Sequence, residues 1–196
     1  PLVAWSARFK FETTAGATAA DPWGNLIMDE EALIGEVLPM AQAAHNSGGI
    51  VLAQVRRLQD EPARPQQVRV PGVLVDRIVV ADASEHDQTF AESHNPDYCA
   101  AAALDSIPPD TSPWDGDERR IIAERAHDEL ADGAIANLGI GMPEGVGRIA
   151  AERGRLARVT LTVESGPIGG IPASGLSFGA ARFPQAIVDQ PAQFDF

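Results

Sequence analysis

The sequence predicts an α/β fold, built as two truncated α/β segments with mainly parallel sheets joined by a proline-rich linker. Two observations carry this reading. Short runs of apolar and β-branched residues, IVLAQVRRL (50–58), AIANLG (134–139) and VTLTV (159–163), begin without polar alternation, as strands buried on both faces do. Between the last two lie a glycine turn and a stretch of helical spacing, so the order is strand, turn, helix, strand, which is the order of a parallel βαβ unit.

The elements follow in order. Residues 1–20 mix strand-like apolar residues with small ones, and DPWGN (21–25) is a turn by composition. From Asp29 to His45, Leu33, Ile34, Val37, Leu38, Ala41 and Ala44 recur at helical spacing. Pro39 is expected to kink or restart this helix, and Asn46-Ser47-Gly48-Gly49 to end it. IVLAQVRRL is then a buried strand that turns polar at its exit, and Arg77–Ala81 is another strand. Residues 100–117 hold three prolines among small and acidic residues and read as an interdomain linker, leaving domains at 1–99 and 118–196. Asp117 is expected to cap a helix to about Leu130, with Ile122, Ala126 and Leu130 on its buried face and Asp132-Gly133 as its stop. AIANLG is a strand, GIGMPEG (139–145) a glycine turn, 144–153 a short helix, and VTLTV a strand ending at Glu164.

Composition excludes several classes. Lys+Arg 15 against Asp+Glu 28 gives a formal charge of −13 with no basic stripe, which argues against nucleic-acid backbones and anionic membranes as partners. No run approaches the roughly 18 apolar residues of a membrane span, and no signal peptide is visible. The lone Cys99 leaves neither an internal disulfide nor a cysteine-built metal site, so a reducing cytoplasm is the expected compartment. The chain opens on Pro1 and stops at QFDF, and it is expected to be a piece of something longer.

The chemistry centres on LTVESGPIGG (161–170), where a buried strand ends at one acid, Glu164, followed at once by glycines. In open parallel sheets, ligands sit beyond the carboxyl ends of the strands. The preceding strand also ends in a glycine turn there. Glycines let a ligand approach the backbone and use its N–H donors, and the helix beginning near Pro143 adds partial positive charge. Three readings are open on these residues. In a dinucleotide site, Glu164 would hold a ribose hydroxyl, but the spacing is G-x-G-x-x-x-G instead of G-x-G-x-x-G. As a nucleophile, Glu164 would attack an activated acyl group while backbone donors hold the oxyanion. The third reading is a plain solvated strand end beside an ordinary turn.

The segments ERRIIAERA (118–126), ANLGIGMPEGV (136–146), LTVESGPIGGIPASGLSFGA (161–180) and AIVDQPAQFDF (186–196) resemble family I coenzyme A transferases, in particular the single-chain branch with acetate and propionate CoA-transferases. DPWGNLIMDEEAL, AQAAHNSGGIVLAQV and VPGVLVD with IVVAD are similar to the second half of that family's first domain. The resemblance implies that Glu164, in E-x-G-P-I-G-G, becomes a glutamyl-CoA thioester in a ping-pong transfer of CoA from a short-chain acyl-CoA to a carboxylate. It implies no metal and no permanently bound cofactor, with the CoA thioester as substrate. Gly139, Gly141, Gly166 and Gly169 are candidates for lining the acyl and CoA path. A CoA-thioester hydrolase of the same fold is the alternative. Family members continue into a glycine triplet beyond the position of Phe196, so the chain is expected to be inactive alone and homo-oligomeric in a full-length enzyme.

Other residues read as structural. His45, His86, His94 and His127 lack ligand spacing and are expected at the surface or at helix ends. Glu144 is a possible second carboxylate at the cleft, though its first expected role is to complement a helix N-terminus. Cys99 is expected to be structural, and Trp5, Trp23 and Trp114 are too widely spaced for a stacking platform.

Overall fold

Alanines and β-branched residues fill the first unit's sheet. The computed structural model describes residues 16–189 and divides them into two units, one of 16–31 and 36–88, the other of 32–35 and 89–189. Residues 1–15 and 190–196, which include Trp5 and the end of the 186–196 match, lie outside the described residues.

The first unit holds β1 (Gly16–Ala20), β2 (Leu26–Ile27), α1 (Val37–Asn46), β3 (Leu52–Leu58), β4 (Val68–Val70) and β5 (Arg77–Val80). Its five-stranded sheet has the order β4-β2-β1-β3-β5. β1, β3 and β5 run parallel, while β2 and β4 pair antiparallel. Central β1 is fully buried from Ala17 to Ala20, which is why its small residues show no polar alternation. The DPWGN turn forms as expected: the Asp21 carboxylate accepts from the amides of Trp23 and Asn25, each at 2.9 Å. Burial opposes its ionisation, but hydrogen bonds from Asn25, Ala63 and Trp23 outweigh this and hold its carboxyl below the ordinary value.

The expected helix from Asp29 is shorter than its pattern. Residues up to Glu36 form turns, and the helix starts at Val37, so Pro39 lies in its first turn. The first intrahelical donor is Met40, whose amide reaches the Glu36 carbonyl at 3.0 Å. Pro39 therefore sits where an N–H would have no helical partner, and it neither kinks nor interrupts the helix.

The second unit holds α2 (Asp117–Asp128), β6 (Ile135–Asn137), α3 (Glu144–Glu152), β7 (Thr160–Thr162), β8 (Pro167–Ile168), β9 (Ile171–Pro172), β10 (Ala181–Arg182) and β11 (Ala186–Ile187). One sheet has the order β11-β8-β7-β6, and β9 with β10 forms a separate ribbon. β6 and β7 are parallel, joined through α3 as the sequence order requires; β8 and β11 add antiparallel. The α/β class holds, and the sheets are mixed instead of mainly parallel. The reason is local: after Glu164 the chain turns back in a hairpin where a second crossover helix would be needed to stay parallel.

Leu138, Val146, Ala150, Leu156 and Leu161 form the core between sheet and α3. Residues 100–117, expected as a linker, send Ile107 into this core, and the Trp114 ring lies 4.3 Å from the Arg148 guanidinium. α2 also differs from expectation. Its N-cap is Gly116, not Asp117, and its buried residues are Ala123 and His127, while Ile122 and Ala126 are exposed. A Cβ on Gly145 of α3 would stand 2.8 Å from the Ala123 Cβ, so the two helices meet where only small residues fit. That close approach turns the helix away from its larger apolar residues. His86 and His127, expected at the surface, are buried at 3% and 0% exposure, whereas His45 and His94 are exposed. Each buried ring has a polar neighbour: His86 Nε2 lies 3.2 Å from Glu31 Oε1, and His127 Nδ1 lies 3.0 Å from an Arg153 guanidinium nitrogen.

Candidate functional site

β6 and β7 end at the same rim of the second unit's sheet because they are parallel and in register, Asn137 opposite Thr162. Two bonds tie the ends together: Leu138 donates its amide to the Thr162 carbonyl at 3.0 Å, and Thr162 Oγ1 donates to Asn137 Oδ1 at 3.1 Å. Whatever follows each strand is therefore held at one edge.

After β6 comes the turn at 139–143. Gly141 has φ +92°, a left-handed conformation that other residues rarely adopt. A Cβ at Gly139 or Gly141 would meet nothing within 4 Å, so both face open space. Glu144 opens α3, where its charge complements the helix N-terminus.

After β7 comes the turn that carries Glu164. The Gly166 amide donates to the Val163 carbonyl at 3.0 Å, and the Val163 amide to the Pro167 carbonyl at 3.0 Å. Together these close a tight hairpin with Glu164 and Ser165 at its tip. Glu164 is exposed, and no hydrogen bond or ion pair among the described residues holds its carboxylate. Ser165 is held: its hydroxyl donates to the Gly179 carbonyl.

For Gly166 and Gly169 the structure supplies a need other than an open cleft. Both are buried with left-handed φ of +126° and +76°. A Cβ on Gly166 would stand 2.3 Å from the Val188 carbonyl oxygen, and one on Gly169 2.7 Å from Gln185 Cγ. These glycines let the strand leaving the hairpin pack against residues 185–188.

A cavity of 660 Å³ lies in the same unit and touches the rim at Gly141, Met142 and Glu144. Glu164, Gly139, Gly166 and Gly169 are not among its lining residues. Its polar wall includes a cluster that sequence reasoning missed. Glu92 accepts from the Ser177 hydroxyl at 2.7 Å, from Asn95 at 2.9 Å and from the Tyr98 hydroxyl. The Ser177 and Tyr98 bonds hold the Glu92 carboxyl below its ordinary value, while burial first, and then the bond to Glu92, push the Tyr98 phenol up. Arg182 pairs with Asp97 at 2.9 Å. Only the folded chain joins these residues, since Glu92 and Ser177 lie 85 positions apart; no local pattern could have signalled the pairing.

Among the described residues, no group of three or more His, Cys, Asp and Glu is placed to hold a metal ion, and no helix is long and apolar enough to cross a membrane. Cys99 is partly buried, its thiol 3.5 Å from the Pro96 carbonyl.

No family model matches the chain. Over 181 residues, 92% of its length, it is 38% identical to acetate CoA-transferase YdiF of Escherichia coli, in both the O157:H7 and K12 strains. Over 184 residues it is 40% identical to caffeate CoA-transferase of Acetobacterium woodii. The chain is a relative of coenzyme A transferases. It spans 34% of the length of these curated relatives. The structural comparison agrees: the crystal structure of the acyl-CoA transferase YdiF apoenzyme from E. coli O157:H7 matches with a TM-score of 0.74 at 35% identity, over 92% of this chain and 33% of that one. A thioester complex of the same YdiF with CoA matches equally, over 32% of its chain.

Proposed function

We propose that the protein carrying this chain transfers coenzyme A from an acyl-CoA to a carboxylate acceptor, with Glu164 as nucleophile. One observation carries the assignment: within ESGPIGG the fold presents Glu164 as an exposed carboxylate, unclaimed by any partner among the described residues, just past a strand end beside the open Gly139–Gly141 turn. The relatedness to CoA-transferases supports the reaction class. We assign residues 1–99 to the end of one CoA-transferase domain and 118–196 to the start of the next, as the resemblance suggests, with 89–99 belonging to the compact unit of the second.

The steps balance without a redox or metal partner. A Glu164 carboxylate oxygen attacks the acyl-CoA carbonyl carbon, the C–S bond breaks, and CoA leaves as thiolate from an acyl-glutamyl anhydride. The thiolate then attacks the glutamyl carbonyl, releasing the first carboxylate and leaving a glutamyl-CoA thioester. An acceptor carboxylate reverses both steps. Each attack builds an oxyanion that needs preorganised donors. Gly139 and Gly141, open on the side where a Cβ would point, are the positions in the turn after β6 where a thioester can approach backbone. Gly166 and Gly169 serve the hairpin that holds Glu164.

The test is covalent trapping. After acyl-CoA loading, borohydride reduction and peptide mapping should mark Glu164, and Glu164→Ala should abolish both the mark and the exchange of CoA between carboxylates. A mark on another acid, or exchange surviving in Glu164→Ala, overturns the assignment.

A further inference from the structure

We propose that Ser165 is the positioning residue for Glu164, acting through the Gly179 carbonyl, an inference that rests on Glu164 being the nucleophile. A carboxylate at a hairpin tip is free to swing with its turn. The backbone bonds between 163, 166 and 167 close the turn but leave the orientation of its tip unset. Among the described residues, the side-chain tie that holds this tip comes from the neighbour of Glu164: the Ser165 hydroxyl donates to the Gly179 carbonyl.

That acceptor is itself held. Gly179 has φ +91°, a conformation that other residues rarely adopt, and its Cα side lies in ordinary contact with the hairpin, a Cβ there standing 3.4 Å from Ser165 Oγ. On one side of Gly179, Ser177 is 5% exposed and donates to Glu92 at 2.7 Å, with Thr89 Oγ1 at 3.0 Å. On the other, Ala180 is fully buried, and its carbonyl accepts from the Ala173 amide at 2.9 Å. Glu92 is fixed in turn by Asn95 and Tyr98. A continuous set of bonds thus runs from buried Tyr98 through Glu92 and Ser177 to the Gly179 peptide, and from there through Ser165 to the turn bearing Glu164. The attacking oxygen must be placed to within a fraction of an ångström, and a misplacement of about 1 Å costs about a hundredfold in rate. Cutting the last link should therefore lower turnover and leave ground-state affinity for acyl-CoA in place.

The experiment compares Ser165→Ala, Ser165→Thr and Ser165→Val with Glu164→Ala in the protein that carries this chain. Thr keeps the hydroxyl and Val replaces it with a methyl of the same shape, so this pair decides the matter even if the Ala variant folds poorly. Expected for Ala and Val are a kcat lower by about tenfold to a hundredfold, an unchanged KM for acyl-CoA, a melting temperature lower by no more than about 4 °C and faster hydrogen exchange at the Gly166 amide. Thr should restore kcat and protection together. If Glu164→Ala abolishes exchange while Val and Thr share one kcat, the positioning role is overturned and the proposed function stands. If exchange survives in Glu164→Ala, the proposed function fails and this inference fails with it.

Discussion

Replacing Gly166 and Gly139 by alanine, one at a time, separates the glycines that the fold consumes from those left open at the rim. At Gly166 the new methyl would sit 2.3 Å from the Val188 carbonyl oxygen, well inside van der Waals contact, at a φ of +126°. Val188 cannot retreat freely, because its amide is bonded to the Gly166 carbonyl at 3.1 Å. Backbone strain at such a φ costs about 1–3 kcal/mol, and overpacking a further ~1–3 kcal/mol. The sum, about 2–6 kcal/mol, is a large part of the 5–15 kcal/mol that holds an ordinary domain. At Gly139 the methyl meets nothing within 4 Å, and the residue is exposed, so the expected change is within about 0.5 kcal/mol. Urea unfolding followed by circular dichroism reads the difference. With m of about 1–3 kcal/mol/M, the Gly166→Ala midpoint should fall by about 1 M or more while that of Gly139→Ala stays in place. Conversely, Gly139→Ala should raise KM for acyl-CoA, because its methyl would stand on the proposed path. Equal midpoints for the two variants would refute the division of the glycines.

Other outcomes follow from single observations. Burial first, then Arg153 and Arg155, disfavour the charged form of His127 despite Asp128, so its pKa lies below the ordinary 6.5. The unfolded state then binds the proton first: His127's contribution is complete above about pH 6.5 and is lost as pH falls toward the lower folded value. Urea midpoints between pH 7.5 and 5.5 should fall more steeply for the native chain than for His127→Gln, and identical slopes would sink this account. Pro39→Ala should change stability by less than about 1 kcal/mol, since a first-turn proline costs the helix little; a gain near 3 kcal/mol in thermal unfolding would show an interior proline after all. Ile149, 1% exposed on α3, should cost about 2–5 kcal/mol on truncation to alanine, read by the same unfolding curves. Calorimetry with NAD or NADP should show no saturable binding, and micromolar binding lost in Gly141→Val would restore the dinucleotide reading.

Much of the second unit could be read from sequence because its information is local. The apolar run before Glu164, the glycine turn after Asn137 and the helix from Glu144 each sit within about one residue of expectation, since strand, turn and helix signals there do not conflict. The failures share a cause. Ile122 and Ala126 have helical spacing, yet the buried stripe is Ala123 and His127, because the neighbour supplies Gly145 and demands a small residue. His86 and His127 looked like surface residues because their polar neighbours, Glu31 and Arg153, are distant in sequence. The hydroxyl of Ser177 and the carboxylate of Glu92 were invisible for the same reason.

The motif itself carries the sharper lesson. Read as a string, E-S-G-P-I-G-G suggests a surface of glycines cleared for a ligand around one acid. In the fold, Gly166 and Gly169 are occupied by residues 185–188, and Gly170 by the carbonyl of Arg182, 2.2 Å from where its Cβ would stand. The glycine density therefore measures how tightly the chain folds back after Glu164, and it overstates the area open to substrate. Glu164 differs from the acids that the fold employs. Asp21, Glu31, Glu92 and Asp97 each accept bonds that fix a turn or a loop, whereas Glu164 fixes nothing among the described residues. Three buried glycines and a serine tie down the turn on which it sits, and its own carboxylate is left over. A charge that folding does not use, on a turn that folding works to hold still, is the arrangement a nucleophile requires.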